Sequence, residues 1–182
     1  MSEVSDRYAT IAAGFTARVE NVPAARWSAP TPCTEWAVRD LVAHVITAHR
    51  RTNSLLTGTQ ATPVDLDGDL PAQWAAETEA IQDAIGDEAR AATIVRGLFG
   101  DQPFESVVSG LLCTDTLVHT WDLARATGQD ERLDPDAVST SMTFTAKIDE
   151  GLRRPGGFAA KIDPAPDADD QTRFLNFCGR PV

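Results

Sequence analysis

TDTLVHTWDLARATG, Thr114–Gly128, is the stretch that organises the reading of the whole chain. As a helix turning about 100° per residue, it shares a buried side defined by Val108, Leu111, Leu112 and Val118. Asp115, His119 and Asp122 fall in the middle of that same side. Their spacing of i, i+4 and i+7 stacks them in one vertical row. An acid, an imidazole and a second acid turned toward a hydrophobic core would cost several kcal/mol if nothing met them. A divalent metal satisfies a carboxylate and an imidazole at this spacing most simply.

Outward from this row, Pro103 opens the helix and Gly128 stops it, giving a long element over residues 103–127. Just upstream, TIVRGLFGD (Thr93–Asp101) is β-branched and punctuated by glycine, which predicts a short extended segment near 93–99. Downstream, Asp134–Pro135 has the form of an N-cap followed by a first-turn proline. It starts a helix through Val138, Met142, Thr145, Ile148 and Leu152 that Pro155–Gly156–Gly157 breaks. In the remaining tail, Phe174, Leu175 and Phe177 are expected to dock on the body.

Three more helices precede the central one. Val4, Tyr8, Ile11, Phe15, Val19 and Val22 step by three and four, so residues 3–22 are amphipathic. Pro23 ends that helix, and a loop to Pro32 carries Trp27 as an anchor. A second helix is expected from Thr34, as N-cap, to about Leu56, with Gly58 as its stop. After a polar loop, a third opens around Pro71 and runs near Gly86, with Trp74, Thr78, Ile81 and Ile85 inward. The pattern predicts a mostly α chain with a C-terminal helix or tail, as a single domain over 1–182.

Two ligands hold a metal poorly, and the other histidines, His44 and His49, both lie on the second helix. Periodicity gives that helix two inward seams, one ending at His49 and one containing His44, and slightly prefers His49. For His49 a favourable charge near a helix end is the simpler role. Three protein ligands would leave positions open for water or substrate, as in catalytic zinc sites. Asp122 is read as accepting the imidazole N–H not used for metal, with a fourth ligand or a salt bridge to Arg125 as alternatives. Cys33 precedes His44 by eleven residues, roughly 15 Å along a helix, and so reads as a small buried hydrophobe rather than a ligand. Cys113 reads the same way, and Trp121 falls off the core stripe and is expected against a loop. Arg7, Arg18 and Arg125 are unranked candidates for holding an acidic substrate.

Composition narrows the partners. A net charge of −11, from 27 acids and 16 bases, opposes nucleic acid and anionic membranes. No run of about 18 apolar residues spans a bilayer, and the N-terminus has no signal pattern. Three widely spaced cysteines form neither a disulfide framework nor a CxxC knuckle, so a reducing cytoplasm is expected. A GxSxG elbow, a phosphate-binding glycine loop and HExxH are absent from the sequence. The partner expected is a small-molecule substrate or thiol, with a homodimer left open.

Two segments, TPCTEWAVRDLVAHV (Thr31–Val45) and DTLVHTWDLARATG (Asp115–Gly128), together resemble the metal-binding helical domain of mycothiol-dependent maleylpyruvate isomerase, within the DinB/YfiT-like metalloenzyme group. The ending DADDQTRFLNFCGRP (Asp167–Pro181) is similar to the close of a short actinobacterial metal-binding subgroup. The resemblance implies a DinB-like four-helix bundle with ligands His44, Asp115 and His119, choosing His44 over His49 by motif and not by helix geometry. It also implies a divalent metal, zinc ahead of nickel, and mycothiol as cosubstrate. The isomerase carries Glu where this chain has Asp115, and it has a second, C-terminal domain for which no counterpart is expected here. The expected function is metal-dependent thiol chemistry on a small electrophile: S-transfer, isomerisation or hydrolysis. The alternatives are a non-catalytic metal or small-molecule binder of stress or regulatory type, and a structural bundle with a hydrogen-bonded Asp–His pair.

Overall fold

A computed structural model describes residues 2–153 and 157–182. The chain is mostly helical and forms two compact units, one ending at Glu131 and the other running Arg132–Val182. The first unit holds α1 (Glu3–Glu20), α2 (Val38–Thr57), α3 (Leu70–Gly86), the short α4 (Glu88–Ala91), a hairpin of β1 (Ile94–Gly97) and β2 (Gly100–Pro103), α5 (Phe104–Val107) and α6 (Cys113–Thr127). α1 packs on α3 and α6, and α2 packs on the same two helices. These four therefore form the four-helix bundle that the resemblance implies, with α2 and α6 as neighbours. No helix among the described residues is long and apolar enough to cross a membrane.

Local chemistry explains the boundaries. Ser2 caps α1 by accepting from the Ser5 N–H. Tyr8, Ile11, Phe15 and Val19 turn inward. Asp69 caps α3 through the Ala72 N–H at 2.9 Å. Gly58 and Gly128 end α2 and α6 in the left-handed conformation that glycine takes without a Cβ penalty. The extended segment expected near 93–99 is the first arm of the antiparallel hairpin, which pairs Ile94 with Pro103 and Gly97 with Gly100.

Three expectations about the first unit need correction. The second helix starts at Val38 and not at Thr34; Asp40 Oδ2 accepts the Ala37 N–H at 3.0 Å, so Ala37 is the cap position. The long central helix is not uniform either, because a π-type turn, Val108–Leu112, joins α5 to α6. The extra residue in that turn rotates the upstream face by about 100°. Val108 and Leu112 are buried while Leu111 is only partly so, and one stripe across the junction does not exist. The Asp115–His119–Asp122 row survives because it lies wholly beyond the π turn.

Trp121 is the third correction. It is buried to 1% exposure, with the Arg125 guanidinium 4.6 Å above its ring. The reason is that α6 is buried on every side from Leu112 to Ala124 except at Asp115. Thr116 and Thr120 make this tolerable, while Thr114 Oγ1 is buried without a hydrogen-bond partner among the described residues. Thr116 Oγ1 donates to the Leu112 carbonyl at 2.9 Å and Thr120 Oγ1 to that of Thr116 at 2.8 Å, so neither hydroxyl is left unmet in the core.

The second unit holds α7 (Pro135–Lys147), α8 (Asp149–Leu152) and α9 (Asp170–Phe177), with α7 packed on α9. Asp134 caps α7 through the Ala137 N–H at 2.9 Å, as its Asp–Pro pair predicts. The helix expected to continue to the glycines instead ends at Lys147, before Ile148 leaves helical geometry; Pro155 and Gly156 lie outside the described residues. Phe174 and Leu175 are fully buried, and Arg153 and Lys161 stack their cationic groups on Phe177.

Candidate metal centre

α2 and α6 bring His44, Asp115 and His119 together. Asp115 Oδ1 lies 3.3 Å from His44 Nε2 and 3.5 Å from His119 Nε2. The three candidate ligand atoms are all within 4.8 Å of one another. A charge-assisted N–H···O bond spans about 2.7–2.9 Å, so both contacts are long for ion pairs. Ligand bonds of about 2.0–2.1 Å in a tetrahedron put neighbouring donor atoms about 3.4 Å apart, close to the two distances from Asp115 Oδ1. Asp115 Oδ2 is buried without a hydrogen-bond partner among the described residues. An N,O,N donor set with an unmet carboxylate oxygen fits a divalent cation better than a self-satisfied cluster.

On the other edge of the His119 ring the distance is different in kind. His119 Nδ1 lies 3.0 Å from Asp122 Oδ2, a hydrogen bond of ordinary length. Asp122 is completely buried and His119 nearly so. Holding Nδ1–H on Asp122 leaves Nε2 as the atom presented to Asp115 and His44. Burial pulls the His119 pKa down, but the Asp115 carboxylate and the bonds to Asp115, Asp122 and Cys33 outweigh it and hold it well above the ordinary value. Burial pushes the Asp115 carboxyl up, but His119 and then His44 outweigh it and hold it well below the usual carboxylate range.

The centre is not sealed. The His44 side chain is 33% exposed and that of Asp115 22%, so a small molecule has an approach from their side. The Trp36 indole lies there too, its ring centroid 4.7 Å from that of His44 and 5.9 Å from that of His119. Cys33 Sγ donates to Asp122 Oδ2 at 3.2 Å and sits 3.8 Å from His119 Nδ1.

Cys33 and Trp36 are the residues that sequence reasoning missed. Cys33 would lie roughly 15 Å from His44 only if the helix began at Thr34. Instead Pro30 and Ala37 form an antiparallel bridge, and the turn between them folds Cys33 back over α6. The readable signal was Asp40, an acid three residues after Ala37, the position of a capping acid, which would have moved the helix start and freed Cys33 from it.

His49 lies elsewhere. It is fully buried, with its ring edge-on to Trp74 at 4.7 Å and tilted against Tyr8 at 5.9 Å. α2 continues to Thr57, so His49 is no helix-end charge. Nδ1–H donates to the Val45 carbonyl at 2.9 Å, and Nε2 has no partner among the described residues. The arginine candidates for an acidic substrate also bond protein groups. Arg7 donates to Ser109 Oγ, Arg18 to the Gly14 and Asp130 carbonyls, and Arg125 to Glu131.

Burial, opposed by the Val45 carbonyl and Asp115, lowers the His49 pKa from 6.5 to about 4. Its folded pKa is depressed, so the stability tied to its neutrality is complete above pH 6.5 and drains away as pH falls toward 4. At about 1.4 kcal/mol per unit the loss is on the order of 3 kcal/mol. Urea unfolding of metal-free protein at successive pH values should record this slope. His49→Phe should flatten it at little cost at neutral pH, because an apolar ring replaces a polar atom already unmet; an unchanged slope in His49→Phe would contradict this.

Residues 8–124 match the family described as the mycothiol maleylpyruvate isomerase N-terminal domain. Two Mycobacterium tuberculosis proteins, Rv0738 of strain ATCC 25618 / H37Rv and MT0763 of strain CDC 1551 / Oshkosh, are each 34% identical over 170 residues, covering 92% of this chain and 92% of their own. Both are described only as uncharacterized proteins. No solved structure matches the chain. The chain belongs to the mycothiol maleylpyruvate isomerase N-terminal domain family.

Proposed function

We propose, from that membership and from the geometry around His119, that the protein binds one divalent cation and serves metal-dependent chemistry of a small thiol in the cytoplasm. The observation that carries the reading is the convergence of His44 Nε2, Asp115 Oδ1 and His119 Nε2 within 4.8 Å of one another, beside an Asp115 Oδ2 that is buried without a hydrogen-bond partner among the described residues. Zinc is the first choice for an N,O,N set, with nickel second. When bound, such a cation supplies Lewis acidity that holds a thiol as thiolate or ionises water. The chain's own groups do the rest. Asp122 fixes the His119 ring, and the partly exposed His44 and Asp115 leave an approach open. Trp36 walls that approach with an apolar face that would lie against the organic part of an incoming thiol. Mycothiol is the cosubstrate that the family description points to, and a small electrophile is the second substrate.

Cobalt-substituted protein titrated with mycothiol, and then with glutathione as comparison, tests this. A sulfur-to-cobalt charge-transfer band that saturates with mycothiol, together with metal-dependent consumption of thiol and electrophile, is the expected result. Trp36→Ala should weaken thiol binding severalfold while leaving metal content unchanged. Stoichiometric metal with no thiol band and no metal-dependent rate across a panel of electrophiles would overturn the catalytic reading in favour of a non-catalytic metal-binding protein.

A further inference from the structure

Cys33 stands outside the N,O,N cage but touches the group that orients its most buried member. Its S–H and the His119 Nδ1–H converge on one oxygen, Asp122 Oδ2, at 3.2 and 3.0 Å. This is not the relay of a thiol nucleophile. Such relays place thiol and carboxylate on opposite ring nitrogens, so that the imidazole can take a proton from one side while it is held from the other. Here both lie on the Nδ1 side, and Nε2 faces Asp115. What a donor at this position does is fix the rotation of a wholly buried carboxylate, and through it the ring.

The turn that supplies Cys33 is tied down as a fixed element would be. The Thr31 N–H donates to the Trp36 carbonyl and the Trp36 N–H to the Cys33 carbonyl, both at 3.1 Å. Thr31 Oγ1 accepts the Cys33 N–H at 3.2 Å. Glu35 is held at φ 72°, a left-handed conformation that a residue with a Cβ adopts only where its surroundings impose it. The same turn lays Trp36 over the two imidazoles. Two side chains of one rigid turn thus meet the metal centre, one at its mouth and one behind it.

We propose that Cys33 is a positioning residue for the metal centre: its hydrogen bond to Asp122 holds the carboxylate that in turn aims His119 Nε2 at the cation. This rests on the reading that His44, Asp115 and His119 bind a metal. Outer partners of this kind are worth about ten- to a hundredfold in metal affinity.

The test uses the full chain, zinc-competition titration and the visible spectrum of cobalt-loaded protein, for wild type, Cys33→Ala and Cys33→Ser. Cys33→Ala should lose about tenfold or more in zinc affinity and shift the cobalt d–d bands. Cys33→Ser keeps a donor to Asp122 and should recover both. Equal affinity and spectra in Cys33→Ala would overturn the proposal. So would a sulfur-to-cobalt band in wild type without added thiol, which would make Cys33 a direct ligand. A loss that Cys33→Ser does not rescue and that follows metal-free stability would reduce Cys33 to a packing role. Wild type that binds neither metal defeats the parent reading, and this proposal with it, before any variant is compared.

Discussion

His119→Ala is expected to lower zinc affinity by more than about a hundredfold, beyond the range seen when only a supporting hydrogen bond is lost. In the proposed metal cage His119 is the one buried imidazole, and its two nitrogens link Asp115 to Asp122. Removing the ring takes away a proposed ligand and also leaves Asp122, completely buried, with one donor fewer. That second effect costs on the order of 1–3 kcal/mol of stability. His44→Ala separates the two effects. Its ring is 33% exposed and meets Asp115 only at 3.3 Å, so affinity should collapse while metal-free stability barely moves. His49→Ala should keep its metal and lose stability instead. Competition titration with a zinc chromophore, paired with urea unfolding of the metal-free proteins, reads all three. Metal lost in His49→Ala and kept in His44→Ala would reverse the assignment of the second helix.

Trp74→Ala is expected to produce the largest loss of stability, about 3–5 kcal/mol. The side chain is 1% exposed and lies at the junction of three helices of the bundle. From α3 it packs edge-on to Phe15 of α1 at 4.8 Å and to His49 of α2 at 4.7 Å. Its indole N–H donates to Thr16 Oγ1 at 2.8 Å. Truncation opens a cavity, removes two aromatic contacts and leaves a hydroxyl without its donor. Trp74→Phe keeps most of the contact and should recover more than half of the loss. Urea midpoints with unchanged slopes would record it; a loss under about 1 kcal/mol would mean that the core relaxes around the gap.

The bundle was legible because its helices carry their own punctuation. Pro71, Gly58, Gly128 and the Asp134–Pro135 pair each mark an end that stands within a residue or two of its expected place. The row Asp115, His119 and Asp122 was legible because three polar groups on one buried face demand a partner. What periodicity did not convey was whatever depends on irregular backbone. A π turn is invisible to a wheel drawn at constant pitch, so the apolar stripe was carried across Val108–Leu112 as if unbroken. Trp121 looked peripheral because threonines that bond back to their own helix let all sides of α6 be buried. Cys33 was discarded on a distance that held only if it lay on the helix. The choice of His44 over His49 came from motif resemblance alone. The wheel favoured His49 because His49 does face the core; it is simply a different part of the core, between Tyr8 and Trp74.

The most direct test is crystallographic: an anomalous difference map collected at the zinc edge from crystals of protein loaded with one equivalent of zinc. One strong peak among His44 Nε2, Asp115 Oδ1 and His119 Nε2, with Asp122 on the far side of the ring, is the result expected here. A peak instead at Cys33, Asp122 and His119 Nδ1, or ordered side chains with no peak among them, would contradict the account.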